Sequence, residues 1–385
     1  MARIWTLKLK IQSFFRKFSN PYEVFTAFET SLKFFGLWIT KKSSKFYIFL
    51  AIINRLFLID LSIVLQFIYL PQVKTIVELS TINSILTAYI RQFCEISVFY
   101  SKIDKIQDLI KDVKSCMVDF EVNEIISKRI SSISKILRGV QIFSQATISI
   151  SAFSSFSYQK LFYFMWLPFQ IEADWKFMLV LLYQLLNCWY LMNIDIFLQF
   201  MPIYFMNYIC GFLEQICERL ENLNFKQNKK KELIKCAELY FKVYRINSKV
   251  NEVFQWIFLI KFVVTSAIIC SIIFSIIIVS DIAYANQVAG YAGYVLMIQI
   301  FVPCFYGNKI ENISSKISTI IGHSEWMLEE KDYRQNVKLT MEFVKKPMKI
   351  TSFDLFDVKL ESFARVCQSA YSLYAVFKSL NENQA

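Results

Sequence analysis

The segment that decides the fold is FQWIFLIKFVVTSAIICSIIFSIIIV, which runs from Phe254 to Val279. A helix needs about 20 mostly apolar residues to cross a bilayer, and this segment is longer than that. A helix satisfies its own backbone hydrogen bonds in lipid, as does a closed barrel. The chain contains only 7 Gly and 6 Pro, which are few turn formers for a barrel of many strands. We therefore interpret this segment as a transmembrane helix.

Six further segments of similar character lie on either side of it. The second and third spans carry polar residues such as Arg91 and Glu95, and such groups tend to face a bundle interior or a wet cavity. The last span is the least apolar and contains Arg365. The predicted fold class is all-α, a seven-transmembrane helical membrane protein. In chain order the predicted spans are Phe46–Tyr69, Leu79–Tyr100, Gly139–Phe156, Phe177–Ile209, Phe254–Val279, Gln287–Phe305 and Phe356–Leu380.

The overall composition agrees with a protein that lies in lipid. Of the 385 residues, 55% are hydrophobic and 17% aromatic, and only 19% are charged, whereas a soluble domain has about 25% charged residues. The formal net charge is +12. In a soluble protein this charge would suggest nucleic acid. Here the basic residues lie between apolar segments, so we expect the lipid bilayer with its anionic inner leaflet as the partner, and no nucleic acid.

The distribution of basic residues predicts the orientation. Lysine and arginine are concentrated between spans two and three and between spans four and five, whereas the alternate connections carry only Lys74, Lys160 and Lys176. By the positive-inside rule the N-terminus is cytoplasmic, and seven spans then leave the C-terminus extracellular. Helical spacing continues beyond span four through Leu213 and Leu220, which predicts helices that extend into a cytoplasmic anchor region.

These observations divide the chain into four predicted regions. Residues 1–45 form a cytoplasmic amphipathic N-terminal segment, and residues 46–306 hold transmembrane helices one to six. Residues 307–355 form cytoplasmic anchor helices, and residues 356–385 hold the last transmembrane helix.

Motifs for catalysis or metal binding do not occur in the sequence. The nine cysteines include no CxxC pair, and His323 is the one histidine, so no zinc spacing is present. No Gly-rich phosphate loop occurs, and nothing marks a nucleophile or acid partner for His323. We expect no enzymatic activity, no catalytic residues, no metal and no cofactor.

The last third of the chain carries a set of ordered motifs. Tyr306-Gly307 follows the sixth span, and serine residues follow before Trp326. Phe363-x-x-Val366 and Tyr371-Ser372 lie in the last span. In this order and spacing the motifs resemble the C-terminal signature of insect odorant receptors. One departure is Ser352, which stands where many members of that family have glycine.

The resemblance implies a function for the whole chain. It implies the odorant-binding subunit of a ligand-gated, non-selective cation channel in olfactory signalling, assembled with a shared co-receptor as a heterotetramer. The ligand would be a small volatile organic odorant, and the permeants would be monovalent and divalent cations. The location would be the plasma membrane of olfactory sensory neurons, with multiple spans.

Other functions remain as alternatives. The related gustatory receptors, also ligand-gated channels, usually end in a Tyr-x5-Gln-Phe pattern, which is absent here. A G-protein-coupled receptor would have its N-terminus outside, contrary to the loop charges. A transporter would often show internal repeats or spans interrupted by Gly or Pro, whereas no repeat is visible and the spans are nearly free of both residues.

The resemblance also implies where the functional residues lie. The last helix would line the pore, and Val376, Ser379 and Leu380 would form its gate, because a hydrophobic constriction can block ions by dewetting. The odorant pocket would lie among spans two to six in their outer half and would be mostly apolar, with a few polar groups. The predicted ligand-binding residues are Tyr291 and Tyr294 in span six, Tyr183, Leu186, Asn187 and Tyr190 in span four, Thr147, Ile150, Ser151 and Ser154 in span three, and Leu79, Ile82, Asn83 and Leu86 in span two.

Overall fold

The computed structural model describes most of the chain, and the structural statements that follow concern the described residues. These are residues 16–120, 124–159, 161–170, 173–223, 228–278, 296–324 and 326–382.

The described chain is almost entirely helical. Two short π-helical turns and two short 3-10 turns lie next to α-helices of the described chain. The ten α-helices described here are α1 Val24–Phe34, α2 Lys45–Arg55, α3 Leu61–Tyr69, α4 Ile76–Phe120, α5 Glu124–Ser157, α6 Asp174–Glu221, α7 Lys229–Ile278, α8 Val302–His323, α9 Lys331–Val344 and α10 Leu360–Glu382. The two π-helical turns are Leu56–Asp60 and Leu296–Phe301.

Each predicted span coincides with a long helical segment. The helices α4, α6 and α7 have 45, 48 and 50 residues, which corresponds to about 70 Å of helix and more than twice the hydrocarbon thickness. They therefore extend well beyond a bilayer, as was predicted for span four and as is also found for spans two and five. Of the predicted sixth span, residues 287–295 lie outside the described residues.

Hydropathy alone identifies fewer of these helices as membrane spans. Within the described residues, three helical segments are long and apolar enough to cross a membrane by length and composition, namely Lys45–Gln72, Asp174–Glu221 and Lys229–Cys270. The other predicted spans are helical but carry more polar side chains.

The centre of the bundle is α6. The side chains of Tyr204, Phe205 and Tyr208 are fully buried, and each large apolar side chain that is buried in this way contributes about 1.5–3 kcal/mol. Part of their cover comes from α1, in which Phe25 stacks on Phe205 and Phe28 packs edge-on against Tyr204. The N-terminal segment from residue 16 is therefore packed against α6, and residues 1–15 lie outside the described residues.

The chain departs from the all-α pattern at a small hairpin before the last helix. Strands β1 (Thr351–Ser352) and β2 (Phe356–Asp357) pair antiparallel. Phe353 and Asp354 have φ values of 52° and 55°, and the Leu355 amide donates to the Ser352 carbonyl at 2.9 Å, which is the geometry of a type I′ turn. The last helix consequently begins at Leu360 and not at Phe356, where the predicted span began.

Gly307 of the Tyr306-Gly307 motif lies against the segment that follows the hairpin. A Cβ atom at this position would lie 1.8 Å from the carbonyl oxygen of Val358, so only glycine allows α8 to approach the chain so closely. Val358 in turn donates its amide to the Ile350 carbonyl at 2.8 Å. The motif therefore fixes the entry of α10 onto α8.

Candidate functional site

A cluster of hydroxyl and amide groups lies between α3, α4, α6 and the connection before α6. The Tyr89 hydroxyl lies 2.9 Å from Oδ1 of Asn187 and 3.2 Å from the Tyr163 hydroxyl. Asn187 donates through Nδ2 to the Ser62 hydroxyl, and the Tyr183 hydroxyl lies 2.8 Å from the same oxygen. These five residues are called the tyrosine–amide cluster below.

The surroundings of the tyrosine–amide cluster are apolar and fixed in place. Gln184 accepts the Phe162 amide at 2.8 Å and donates to the Tyr163 carbonyl at 2.8 Å, so it holds the connection onto α6. The Phe57 ring packs edge-on against Tyr183 at a centroid distance of 5.2 Å. An apolar site with a few converging hydroxyl and amide groups suits a small, mostly apolar ligand that carries one oxygen function.

Two of the predicted ligand-binding residues, Tyr183 and Asn187, belong to the tyrosine–amide cluster. Tyr190, one helical turn away, is buried but donates its hydroxyl to the Phe35 carbonyl at 2.9 Å, so it supports the N-terminal segment. Leu186 is 52% exposed and points away from the cluster. Tyr291 and Tyr294 lie outside the described residues.

The predicted residues of α4 and α5 divide in the same way. On α4, Ile82 and Leu86 are buried in the bundle, whereas Leu79 and Asn83 are exposed. On α5, Ile150 is 69% exposed. Thr147 and Ser154 are exposed too, and Ser151 is half-buried. The buried face of α5 is formed instead by Ser144, Ile148 and Ser155.

Tyr89, Tyr163 and Ser62 were not among the predicted ligand-binding residues. A signal existed for Tyr89, because Ile82, Leu86 and Tyr89 follow the i, i+4, i+7 spacing of one helix face. Tyr163 lies in a connection, where periodicity gives no signal.

A second cluster consists of four charged side chains deep in the bundle, called the charge cluster below. Arg91 Nη1 lies 2.9 Å from Glu95 Oε1 and 2.7 Å from Asp195 Oδ1. Lys261 Nζ lies 3.2 Å from Glu95 Oε2 and 3.9 Å from Asp195 Oδ1. Glu95 and Lys261 are 0% and 1% exposed. The charge cluster joins α4, α6 and α7, and its formal charge is zero.

Gln299 extends the charge cluster to the π-helical turn before α8. Its Nε2 donates to Asp195 Oδ2 at 3.2 Å, and its Oε1 accepts the Thr265 hydroxyl at 2.9 Å. Gln199 donates to the Ile298 carbonyl at 2.7 Å, which satisfies a backbone group of the turn. Arg91 and Glu95 were predicted to face a bundle interior or a wet cavity. No such prediction was made for Asp195 and Lys261, although they are charges within predicted spans four and five.

The last helix is attached through aromatic contacts near its start. Phe356 lies 4.6 Å from Phe262 of α7, and Phe363 lies 5.3 Å from Phe301 of the π-helical turn, measured between ring centroids. Ser352 is buried and donates its hydroxyl to the Gln255 carbonyl at 2.8 Å. This contact holds the hairpin onto α7 and so gives Ser352 a physical role.

Farther along, α10 leaves one face uncovered. At 100° per residue, the exposed residues of this face fall within about 100° of one another around the helix. Val376 is 54% exposed, and the Ser379 hydroxyl donates to its carbonyl at 2.9 Å. Leu380 belongs to α10, but its side chain lies outside the described residues. Within this arc lie Glu361, Arg365, Gln368, Ser369, Ser372, Val376 and Ser379, and the exposed surface continues on one side of it through Ala364, Tyr371, Tyr374 and Ala375.

At the other end of the bundle, a cleft of about 340 Å³ opens between α5, α6 and α8. Arg129 pairs through two of its nitrogens with Glu214, and Lys309 Nζ lies 3.9 Å from Glu214 Oε1. Lys128, Ser132, Asn207 and Tyr306 complete the polar lining. Within the described residues, no group of three or more His, Cys, Asp or Glu is placed to hold a metal ion.

The long helices α4 and α6 bury two thiols, Cys116 and Cys217, beyond the ends of the predicted spans. Burial raises the pKa of Cys116 to about 11, with the nearby Asp119 carboxylate adding to the effect. Burial likewise raises the pKa of Cys217 to about 11. Both thiols are therefore neutral and unreactive at physiological pH, and no cysteine of the described residues forms a disulfide.

Comparison with known sequences identifies the group of proteins to which the chain is similar. The model of the 7tm Odorant receptor family matches residues 75–371. Odorant receptor 43b of Drosophila melanogaster is 29% identical over 121 residues, which cover 30% of this chain and 30% of that relative. Odorant receptor 94a of the same species is 30% identical over 87 residues, which cover 23% of this chain and 22% of that relative. The chain thus matches less than a third of the length of each of these relatives.

Comparison with solved structures gives the fold. The insect olfactory receptor OR5 from Machilis hrabei, solved in complex with eugenol, superposes with a TM-score of 0.71 at 16% sequence identity, covering 92% of this chain and 97% of that chain. This likeness confirms the predicted all-α, seven-transmembrane helical fold. The matched family is a family of membrane receptors and not of enzymes, and the match extends over most of the chain, which confirms the resemblance drawn from the C-terminal motifs. The chain therefore belongs to the 7tm Odorant receptor family.

Proposed function

We propose that the chain is the odorant-binding subunit of a ligand-gated, non-selective cation channel that acts in olfactory signalling with a shared co-receptor. The observation that carries the proposal is the uncovered face of α10. Arg365, Gln368 and Ser372 would meet lipid if a single chain crossed the membrane alone, and polar groups are costly there. In a heterotetramer with α10 next to the central axis, the same face lines a water-filled path.

The proposed gate lies near the tip of α10. Val376 continues the exposed face, and Leu380 follows one turn later in the sequence, with Ser379 beside them. A ring of such apolar side chains excludes water when narrow and passes hydrated monovalent and divalent cations when it widens.

The odorant is proposed to bind in the outer half of residues 46–306, next to the tyrosine–amide cluster. A small volatile molecule with a hydroxyl or carbonyl group could exchange a hydrogen bond with Tyr89 or Asn187 while the surrounding rings bury its apolar part. Tyr291 and Tyr294 remain proposed pocket residues, together with the other predicted positions of spans two to four.

Assembly with other subunits is supported by exposed apolar side chains outside the predicted spans. Phe241 and Tyr244 on α7, and Leu339 and Phe343 on α9, are all exposed. We place these segments in the cytoplasm, with the N-terminus there and the C-terminus outside the cell. A patch of this kind in water marks an interaction surface, so residues 307–355 and the ends of the long helices would form the contact between subunits.

Activation is proposed as a population shift. An odorant that binds the open arrangement more tightly than the closed arrangement shifts the equilibrium by that difference in affinity. The attachment of α10 to α7 and to the π-helical turn offers the route by which the bundle acts on the pore.

Whole-cell current tests the proposal most directly. Cells that express the chain with an insect odorant co-receptor are expected to give cation currents to members of a panel of volatile compounds, and cells that lack either subunit are not. A response that requires G proteins, or failure of the chain to assemble with the co-receptor, would contradict the proposal.

The pore assignment has its own test. A Ser372→Cys variant should lose odour-evoked current when a charged thiol reagent is applied, because the reagent would lodge in the conduction path. The matched control is Ala370→Cys, about 160° away around the helix, in a background in which Cys367 is replaced by serine. Equal sensitivity of both variants would remove α10 from the pore.

A further inference from the structure

The charge cluster lies between the tyrosine–amide cluster and the last helix. On α4, Arg91 follows Tyr89 by two residues, and on α6, Asp195 follows Asn187 by two helical turns. The charge cluster therefore shares both of these helices with the tyrosine–amide cluster.

The other side of the charge cluster lies next to the attachment of α10. Lys261 directly precedes Phe262, which packs on Phe356. Gln299 lies two residues before Phe301, which packs on Phe363 of α10. Both aromatic contacts that hold the start of the last helix thus come from segments that the charge cluster and Gln299 fix.

The π-helical turn Leu296–Phe301 is the element whose hydrogen-bond register could change. A π turn contains one residue more than the α-helix it interrupts, and such turns occur frequently at functional sites. Conversion of Leu296–Phe301 to regular α-helix would rotate the residues of the turn relative to α8 by up to about 100°. Gln299 could then no longer bond both Asp195 and Thr265, and Phe301 would move against Phe363.

Charge balance explains how this element can be held without destabilising the bundle. Arg91 and Lys261 balance Glu95 and Asp195, so no net charge is buried, whereas removal of one partner would leave an uncompensated charge in the bundle. Hydrogen bonds to a charged acceptor such as Asp195 are stronger than those between neutral groups. The Gln299–Asp195 bond is therefore well suited to select one register of the turn.

We propose that the charge cluster, with Gln299 and Thr265, positions the π-helical turn and so couples the ligand-binding half of the bundle to the last helix. Lys261, Gln299 and Thr265 act as positioning residues for gating and touch neither the odorant nor the permeant ion. The inference rests on the proposed channel function, and its test below includes a measurement that does not need current.

Two kinds of variant separate positioning from folding. Thr265→Val removes one hydroxyl at nearly constant shape, and Thr265→Ser, which keeps the hydroxyl, is its matched control. Glu95→Gln combined with Lys261→Met keeps the charge cluster neutral, whereas Glu95→Gln alone leaves it with one excess positive charge. The single variant is expected to fail to reach the cell surface, and the neutral double variant is expected to reach it with the co-receptor.

Two readouts decide the question. The half-maximal odorant concentration is expected to shift at least tenfold in Thr265→Val and in the neutral double variant, while Thr265→Ser and the response to a co-receptor agonist stay as in wild type. In purified complexes, hydrogen exchange of the backbone amides of residues 296–305 is expected to change at least tenfold in the same two variants.

The outcomes are distinct. Wild-type odorant sensitivity and wild-type exchange in both variants would overturn the proposal and leave the charge cluster a purely structural feature. If the wild-type complex assembles but gives no odour-evoked current, the proposed function fails, and the exchange measurement alone then decides whether the charge cluster positions the turn.

Discussion

Replacement of Gly307 by alanine would disturb the packing that aligns the last helix. The new Cβ atom would lie 1.8 Å from the Val358 carbonyl oxygen, about 1.6 Å closer than the shortest ordinary contact. The obstacle is backbone, so α8 and the segment before α10 must separate. Such overpacking costs typically 1–3 kcal/mol, and loss of the bond between Val358 and Ile350 would add about 1 kcal/mol.

The assay is thermal unfolding of the purified complex, followed by its size-exclusion profile. With a cost of about 3 kcal/mol and a response of about 2–4 °C per kcal/mol, Gly307→Ala should lower the melting temperature by about 6–12 °C. Gly139→Ala is the matched control, because a Cβ atom at Gly139 meets nothing within 4 Å and alanine favours a helix over glycine. A Gly307→Ala variant that melts with wild type would refute this account of the motif.

Three further predictions follow from the described contacts. Tyr89→Phe removes the hydroxyl bonded to Asn187. We expect this variant to raise the half-maximal odorant concentration about fivefold, which corresponds to the loss of about 1 kcal/mol, with surface expression unchanged. An unaltered dose–response curve would exclude this hydroxyl from ligand recognition. Burial raises the pKa of Cys116 from 9.0 to about 11. Alkylation of this thiol at neutral pH should therefore be about 100-fold slower than in the denatured chain, and its rate should rise about tenfold per pH unit. Labelling, followed by mass spectrometry, at the rate of the denatured chain would contradict the described burial. Phe343→Ser on the exposed side of α9 should reduce co-purification of the chain with the co-receptor severalfold without lowering its own expression, and undiminished co-purification would place the subunit contact elsewhere.

The sequence predicts the helices well because lipid imposes a length and a composition on each span. Phe254–Val279 and Phe46–Tyr69 are unambiguous for this reason. The Tyr306-Gly307 motif was also informative, because Gly307 is required by a backbone contact that no other residue allows. Such signals depend on one position or one helix alone.

The remaining features depend on which helices become neighbours. The face of α5 is an example, since Thr147 and Ile150 alternate with Ser144 and Ile148 in a helix whose sides are similarly apolar. Nothing in that pattern shows which side meets α6. Asp195 and Arg91 are 104 positions apart in the chain. Their pairing likewise cannot be predicted before the packing of the helices is known.

The short hairpin was not predicted, because each strand has only two residues. Two residues are too few for an alternating pattern. Phe353 in a left-handed conformation is also unusual for a bulky side chain, so no turn motif announces it. Its ring packs against Trp256 at a centroid distance of 4.4 Å, which explains why an aromatic residue is held there.

The burial of α1 against α6 has a consequence for how the protein is made. On the ribosome, α1 emerges before α6. Tyr204 and Tyr208, which bond the Phe18 and Pro21 carbonyls in the finished molecule, are synthesised about 170 residues after α1. At 5–20 residues per second the delay is about 10–35 s. During that time Phe25 and Phe28 lack their partners while the early spans enter the membrane. A nascent chain that is halted before α6 would therefore carry an exposed aromatic segment, and quality-control factors that bind such segments would have their opportunity in this interval.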